Sequence, residues 1–363
     1  MPAELPGPGT LPPTYDHLRS YEENRDEGPF FSGPVPRRKI PSRRVRFLGF
    51  PVNSPVGIAA GPLLDSKWIA LYAKLGFDIL TYKTVRTREA KAHSLPNILF
   101  LKPEGQVYPG EAPLVASSER SRYPVSITNS FGMPSWDPER WIPDVRKARA
   151  SLREGQLLSV SVVGSDTSSL QALASDYARC AELAFEAGAH LIELNLSCPN
   201  VHGACASVYL DPESAEAVSR AVRGAVGKQK VLVKLGYYEE RPRLEMVLRA
   251  VLPHVDGIAA INTVSRPVRS PDGKVALPGR ERSGICGAAI RSAALGTVEQ
   301  LCSLREKLLA EFAVVGVGGI MTPADAMAHL RVGADAVMMA TAPMYDPYLA
   351  MRLHEAGDWP ARR

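Results

Sequence analysis

The sequence predicts an α/β protein, a (β/α)8 TIM barrel with an N-terminal extension and a small inserted hairpin over the barrel mouth. Three observations carry that expectation. From Pro55 onward, short β-rich apolar runs alternate with longer helix-like segments. The runs are almost continuously apolar, as in parallel strands buried on both faces, and do not alternate with polar residues. They number eight, which favours closure into a barrel over an open doubly wound sheet.

In order, the strand candidates are PVGIAA from Pro55, DILTYKTV from Asp78, LLSVSVVG from Leu157, HLIELNLS from His190, KVLVKLG from Lys230, DGIAAINTV from Asp256, FAVVGVGG from Phe312 and DAVMMAT from Asp335. Between them Leu170, Leu173, Tyr177, Ala181 and Ala184 recur at helical spacing. Asp211-Pro212 and Thr322-Pro323 read as an N-cap followed by proline in the first turn, and Gly76, Gly188, Gly227 and Gly333 close helices. The stretch Thr87 to Ser126 is the expected hairpin insertion. Residues 51–355 form the expected catalytic domain, 1–50 a Pro- and Arg-rich arm and 356–363 a tail. Nine prolines in the first 41 residues and the basic run RRKIPSRRVR suggest that the arm is an extended strap across the domain.

With 43 basic and 38 acidic residues and 45% hydrophobic content, the composition is that of an ordinary globular chain and points to no nucleic-acid partner. No apolar run approaches the length of a bilayer-spanning helix. The five cysteines, Cys180, Cys198, Cys205, Cys286 and Cys302, form no CxxC pair, so neither a disulfide framework, a metal site nor an iron–sulfur cluster is expected. A reducing, cytoplasmic location follows as the expectation.

In a β/α barrel the chemistry lies where strands end. Lys83 closes the second run and Lys234 the fifth, and two ammonium groups converging on one mouth imply an anionic ligand. GVGGIM from Gly316 lacks the third glycine of a dinucleotide fingerprint, since Met321 stands there. Gly318 and Gly319, with Ala340 and Thr341 after the eighth run, instead suit a single phosphate. Asn129, Asn195, Asn200 and Asn262 would offer paired donors and acceptors to a planar, amide-rich ligand. ELNLSCPN stops a strand at Asn195 and places Cys198 in the loop beyond it.

The segments ELNLSCPN, ITNSFGMPS, VLVKLG, AAINTVS, SGICGAAI and VGVGGI, in this order and spacing, resemble the dihydroorotate dehydrogenase family over about Pro51 to Glu355. That resemblance implies an FMN-containing barrel that oxidises (S)-dihydroorotate to orotate in pyrimidine biosynthesis. It would place Ala60 and Gly61 against the flavin, Lys83 beside flavin and substrate, and Lys234 near the flavin N1 and O2 edge. Asn129, Asn195, Asn200, Asn262 and Thr263 match positions that hold the pyrimidine, and the backbone of Phe131, Gly132 and Met133 matches the loop that receives its carboxylate. Gly287, Gly318, Gly319 and Thr341 match the phosphate cradle. Cys198 matches the base that removes the C5 proton, and a cysteine there marks the soluble class 1 branch. The implied acceptor is fumarate, a quinone or NAD through a partner subunit, and a homodimer is expected. Two alternatives are a dihydropyrimidine dehydrogenase-like flavoprotein and a non-catalytic FMN-binding barrel.

Overall fold

The structure, a computed structural model, describes residues 5–41, 43–117, 119–197, 208–356 and 359. It opens with helix α1 (Tyr21–Glu27) and the hairpin β1 (Val45–Phe47) and β2 (Phe50–Val52), followed by β3 (Val56–Ile58), α2 (Ser66–Lys74) and β4 (Ile79–Val85). Strands β5 (Ile98–Leu101), β6 (Leu114–Ser117) and β7 (Ser126–Asn129) form an excursion. The alternation resumes with α3 (Pro138–Ser151), β8 (Leu157–Val162), α4 (Leu170–Glu186), β9 (Leu191–Asn195), α5 (Pro212–Val226), β10 (Lys230–Leu235), α6 (Arg241–Val251) and β11 (Gly257–Ala260). A second excursion, β12 (Val264–Arg269) and β13 (Arg282–Gly287), precedes α7 (Arg291–Lys307), β14 (Ala313–Val317), α8 (Pro323–Arg331), β15 (Ala336–Met339), α9 (Thr341–Tyr345) and α10 (Leu349–Glu355).

Eight parallel strands close in chain order, β3-β4-β8-β9-β10-β11-β14-β15. They coincide with the eight apolar runs because both faces are covered: every residue of β8, β9, β11, β14 and β15 is buried. Alternate side chains point into the ring. On β9, Leu191 joins Leu157, Leu232, Val315 and Met338 in the interior cluster, whereas Ile192 and Leu194 belong to the outer core. The same alternation turns Glu193 and Asn195 inward. Phe47 and Val52 of the β1–β2 hairpin join the interior cluster beside the first residues of the strands, so the hairpin stoppers the amino-terminal end of the barrel. The boundary expected at residue 50 therefore cuts through an element that completes the core.

Helix ends follow the sequence signals. The Asp211 side chain accepts from Ser214 N at the start of α5, and Thr322 and Asp325 form a reciprocal capping box at α8. Gly76, Gly188, Gly227 and Gly333 all have positive φ, between 60° and 109°, where a side chain would be strained.

The insertion is larger than a hairpin. Five strands pair in the order β12-β13-β7-β5-β6, and β12 also meets β6, so the small sheet closes on itself. Two of its strands come from the excursion after β11, a pairing distant in sequence that no local pattern announces. The arm also differs from a bare strap. Ser20 and Glu23 build a capping box that starts α1, and Arg38 Nη1 donates to Asp78 Oδ1 at 2.7 Å and to Gly76 O at 3.1 Å. Asp78 is fully buried and also accepts from the Ser54 hydroxyl.

Removing one partner of a buried ion pair strands the other charge. Arg38→Ala is therefore expected to lower the unfolding free energy by about 3 kcal/mol, read from urea denaturation; a loss indistinguishable from zero would show that the arm is not anchored through this contact.

Candidate active site

At the carboxyl ends of the barrel strands lies a cavity partly open to solvent. Its walls come from the ends of β3, β4, β9, β10, β11, β14 and β15, from the small sheet and from the arm. Lys83 and Lys234 both line it, and no Asp or Glu does among the described residues. A site with two ammonium groups and no lining carboxylate is an attractive place for an anion.

One wall is made of main chain. Gly318 and Gly319 follow β14 with φ of 114° and 69°, and a Cβ on Gly319 would stand 2.2 Å from the Arg291 Cα. Only glycine fits there, and its bare backbone faces the cavity with Gly287, Ala340 and Thr341. α7 begins beside Gly287 and Ile290 with no side-chain cap from Ile290; its Arg291 amide donates to the Ala288 carbonyl and its Ser292 amide to Gln106 Oε1 at 2.8 Å.

The opposite wall is amide-rich. Asn195 Nδ2 donates to Thr84 Oγ1 at 3.3 Å and Asn262 Nδ2 donates to Asn195 Oδ1 at 3.3 Å, while the Tyr177 hydroxyl holds the Asn195 carbonyl at 2.9 Å. Asn262 Nδ2 also reaches Ser197 Oγ at 3.3 Å. The Thr263 hydroxyl is buried with no hydrogen-bond partner among the described residues. Asn129, at the end of β7, donates to Cys286 Sγ at 3.2 Å. Burial pushes the Cys286 thiol above its ordinary pKa, opposed by hydrogen bonds from Thr341 and Asn129, so it stays a neutral packing group.

The loop after β7 is held from behind. Arg280 donates to the carbonyls of Ser130, Ser94 and Pro96 at 3.0, 3.2 and 3.1 Å. Asn97 Nδ2 donates to the Ser130 carbonyl at 3.2 Å. These bonds satisfy main-chain acceptors that the irregular loop cannot pair itself. Phe131 and Met133 line the cavity, with Lys83 Nζ 6.0 Å from the Phe131 ring centroid.

Of the residues predicted from sequence, Ala60, Gly61, Lys83, Asn129, Phe131, Met133, Asn195, Lys234, Asn262, Thr263, Gly287, Gly318, Gly319, Ala340 and Thr341 are brought together here. Gly132 does not line the cavity: its φ is 78° and its α-carbon backs onto the His93 ring. Cys198 and Asn200 lie outside the described residues. Sequence reasoning missed Tyr15 and Tyr21 of the arm, which form part of the wall. Tyr15 meets Phe131 edge-on at 5.9 Å and Trp68 at 6.3 Å, and Tyr21 meets Phe131 at 6.0 Å. Two tyrosines within a proline-rich segment were the only available signal.

The Tyr15 ring is 3% exposed and its hydroxyl has no partner among the described residues. Tyr15→Ala should therefore cost about 3 kcal/mol of stability, whereas Tyr15→Phe should stay within about 1 kcal/mol. Equal losses in urea titrations of the two variants would show that the hydroxyl, not the ring, binds the arm to the mouth.

Residues 111–356 match the family model described as dihydroorotate dehydrogenase. A protein from Dictyostelium discoideum named dihydroorotate dehydrogenase is 35% identical, over 94% of this chain and 96% of its own. The catalytic subunit of dihydroorotate dehydrogenase B (NAD(+)) from Methanocaldococcus jannaschii is 27% identical, over 84% of this chain and 88% of its own. The crystal structure of DHODH from Eimeria tenella in complex with ferulenol superposes with a TM-score of 0.67 at 19% identity, covering 86% of this chain and 82% of that one, a likeness of fold. A near-full-length match to one relative, and a family match that takes in four of the five strands of the small sheet and six of the eight of the barrel, agree with the motifs that line the cavity, and this chain belongs to the dihydroorotate dehydrogenase family.

Proposed function

We propose that the chain oxidises (S)-dihydroorotate to orotate, with FMN held in the barrel-mouth cavity. The observation that carries this reading is the convergence in one cavity of Lys83 and Lys234 with Asn129, Asn195 and Asn262 against a wall of glycine backbone. FMN suits that chemistry: the cavity holds cations without a lining carboxylate among the described residues, the Gly318-Gly319 backbone is bare, and the buried Thr263 hydroxyl has no protein partner among them. Gly287, Gly318, Gly319 and Thr341 would take the phosphate, with Ala60 and Gly61 along the ring and Lys234 near the edge where negative charge gathers. When bound, FMN supplies the hydride acceptor.

The chain's own groups would bind, orient and deprotonate. Asn129, Asn195, Asn262 and Thr263 present donors and acceptors suited to the pyrimidine amides, with Asn200 assigned beside them. Lys83 and the Phe131–Met133 loop would receive the substrate carboxylate, the loop being fixed by Arg280 and Asn97. Tyr15, Tyr21 and Phe131 exclude water from that corner. Cys198 is assigned as the base that removes the C5 proton, from its place three positions after Asn195 in ELNLSCPN. A cysteine of ordinary pKa, about 8.5, gains thiolate character next to ammonium groups.

Residues 51–355 would then be the catalytic unit, with 1–50 an arm whose Tyr15 and Tyr21 cover part of the mouth and 356–363 a tail. The acceptor that returns the flavin to its oxidised state is fumarate, a quinone or NAD through a partner subunit, and the enzyme is read as a cytoplasmic homodimer. Among the described residues no helix is long and apolar enough to cross a membrane.

Anaerobic mixing with a panel of dihydropyrimidines tests the substrate: dihydroorotate should bleach the bound flavin, and preferential bleaching by an uncharged dihydropyrimidine would replace this reading. Cys198→Ala should keep yellow FMN and bind orotate while losing about 100-fold to 10,000-fold in the rate of substrate-driven bleaching; an unchanged stopped-flow rate removes the thiol from the reaction. Gly319→Val should lose FMN, since its side chain collides with the Arg291 backbone, and full occupancy by the 450 nm to 280 nm absorbance ratio would refute the placement of the phosphate.

A further inference from the structure

One buried charge has no place in the reaction just described. Glu193 lies on β9 inside the barrel, 1% exposed, one inward position below Asn195. Its only ionic neighbour among the described residues is Lys234, whose Nζ is 3.7 Å from Glu193 Oε2 and which is itself 4% exposed. Neither carboxylate oxygen receives a hydrogen bond from any described residue. The adjacent β8 hydroxyls do not fill the gap: Ser161 Oγ is engaged with Thr84 Oγ1 at 3.0 Å, and Ser159 Oγ also lacks a partner.

Such an arrangement is poor value for stability. An ion pair deprived of supporting hydrogen bonds in a desolvated interior is often no more stabilising than apolar side chains of the same volume. The ring around it shows that apolar filling was available, since Leu191, Leu232 and Val315 occupy equivalent inward positions. The consequence of Glu193 is electrostatic. Lys234 faces the cavity from above the carboxylate, so its positive charge is shared between Glu193 and whatever anion binds there.

We propose that Glu193 is a positioning residue, the buried counter-ion of Lys234, and that it lowers the reduction potential of flavin bound in the cavity. The inference rests on the reading that FMN lies beside Lys234. Before reduction the carboxylate neutralises the ammonium. Once the ring carries negative charge, one ammonium serves two anions, and their mutual repulsion in a low-dielectric site opposes the reduced form. Electrons accepted from substrate are thus held loosely enough to pass to the next acceptor. Lys234 alone would favour reduction and retain the electrons; the pair balances uptake against release.

The test is a spectroelectrochemical titration of the full-length FMN-loaded protein and its Glu193→Gln, Lys234→Met and doubly substituted variants. Glu193→Gln should shift the reduction equilibrium at least about tenfold toward reduced flavin, about 30 mV more positive for a two-electron couple. In the Lys234→Met background the same substitution should produce a smaller shift, because the ammonium that couples the carboxylate to the ring is gone. An unchanged or more negative potential in Glu193→Gln overturns the proposal, as does an equal shift with and without Lys234. If Glu193→Gln fails to hold flavin, Glu193→Asp must move the potential the same way by less, and no movement there also overturns it. A parent protein that holds no FMN, or a Lys234→Met variant of unaltered potential, overturns the reading of the site and this proposal together. A shift in Lys234→Met without one in Glu193→Gln overturns the proposal alone.

Discussion

Closure of the parallel barrel is the constraint on which the site depends. Each inner strand is hydrogen-bonded on both edges, so its register is fixed twice. Lys234 pairs with Asn195 across β10 and β9, and Leu232 pairs with Glu193 two residues below. A slip of one residue on β9 would exchange Glu193 and Asn195 for Ile192 and Leu194 and empty the mouth of its polar groups. Closed hydrogen bonding forbids that slip. The positions of the lysine and the amides are therefore consequences of sheet geometry, set before any ligand arrives.

What the barrel cannot supply, irregular chain does, and here each loop needs its own restraint. The loop after β7 carries Phe131 and Met133 to the cavity only because Arg280 and Asn97 take up the carbonyls around it. Phe131 in turn is the surface on which Tyr15 and Tyr21 rest. The order of dependence runs from sheet to buried guanidinium to loop to arm. Each layer is less regular than the one beneath it.

That order also governs how much could be read from the sequence. The eight inner strands were legible because burial on both faces writes uninterrupted apolar runs, and the helix ends because Asp211, Thr322 and four glycines act locally. Most of the cavity followed, since Lys83, Asn195, Lys234 and Gly319 stand at strand ends. The sequence around the five-stranded small sheet shows only a hairpin, because β7 and β13 meet only through the folded barrel. Tyr15 and Tyr21 escaped notice because aromatic packing onto a distant loop has no periodicity. Glu193 was visible in ELNLSCPN, but nothing in the strand announces that its partner is Lys234 on the next one.

The hairpin that stoppers the barrel has a consequence for traffic. With Phe47 and Val52 filling the amino-terminal end, a molecule cannot pass through the ring, and everything that reaches the cavity must cross its rim and leave the same way. Two small reactants using one doorway cannot stand in it together. A second reactant that enters by this rim has to wait for the product of the first to depart, whereas one that acts through a partner subunit does not.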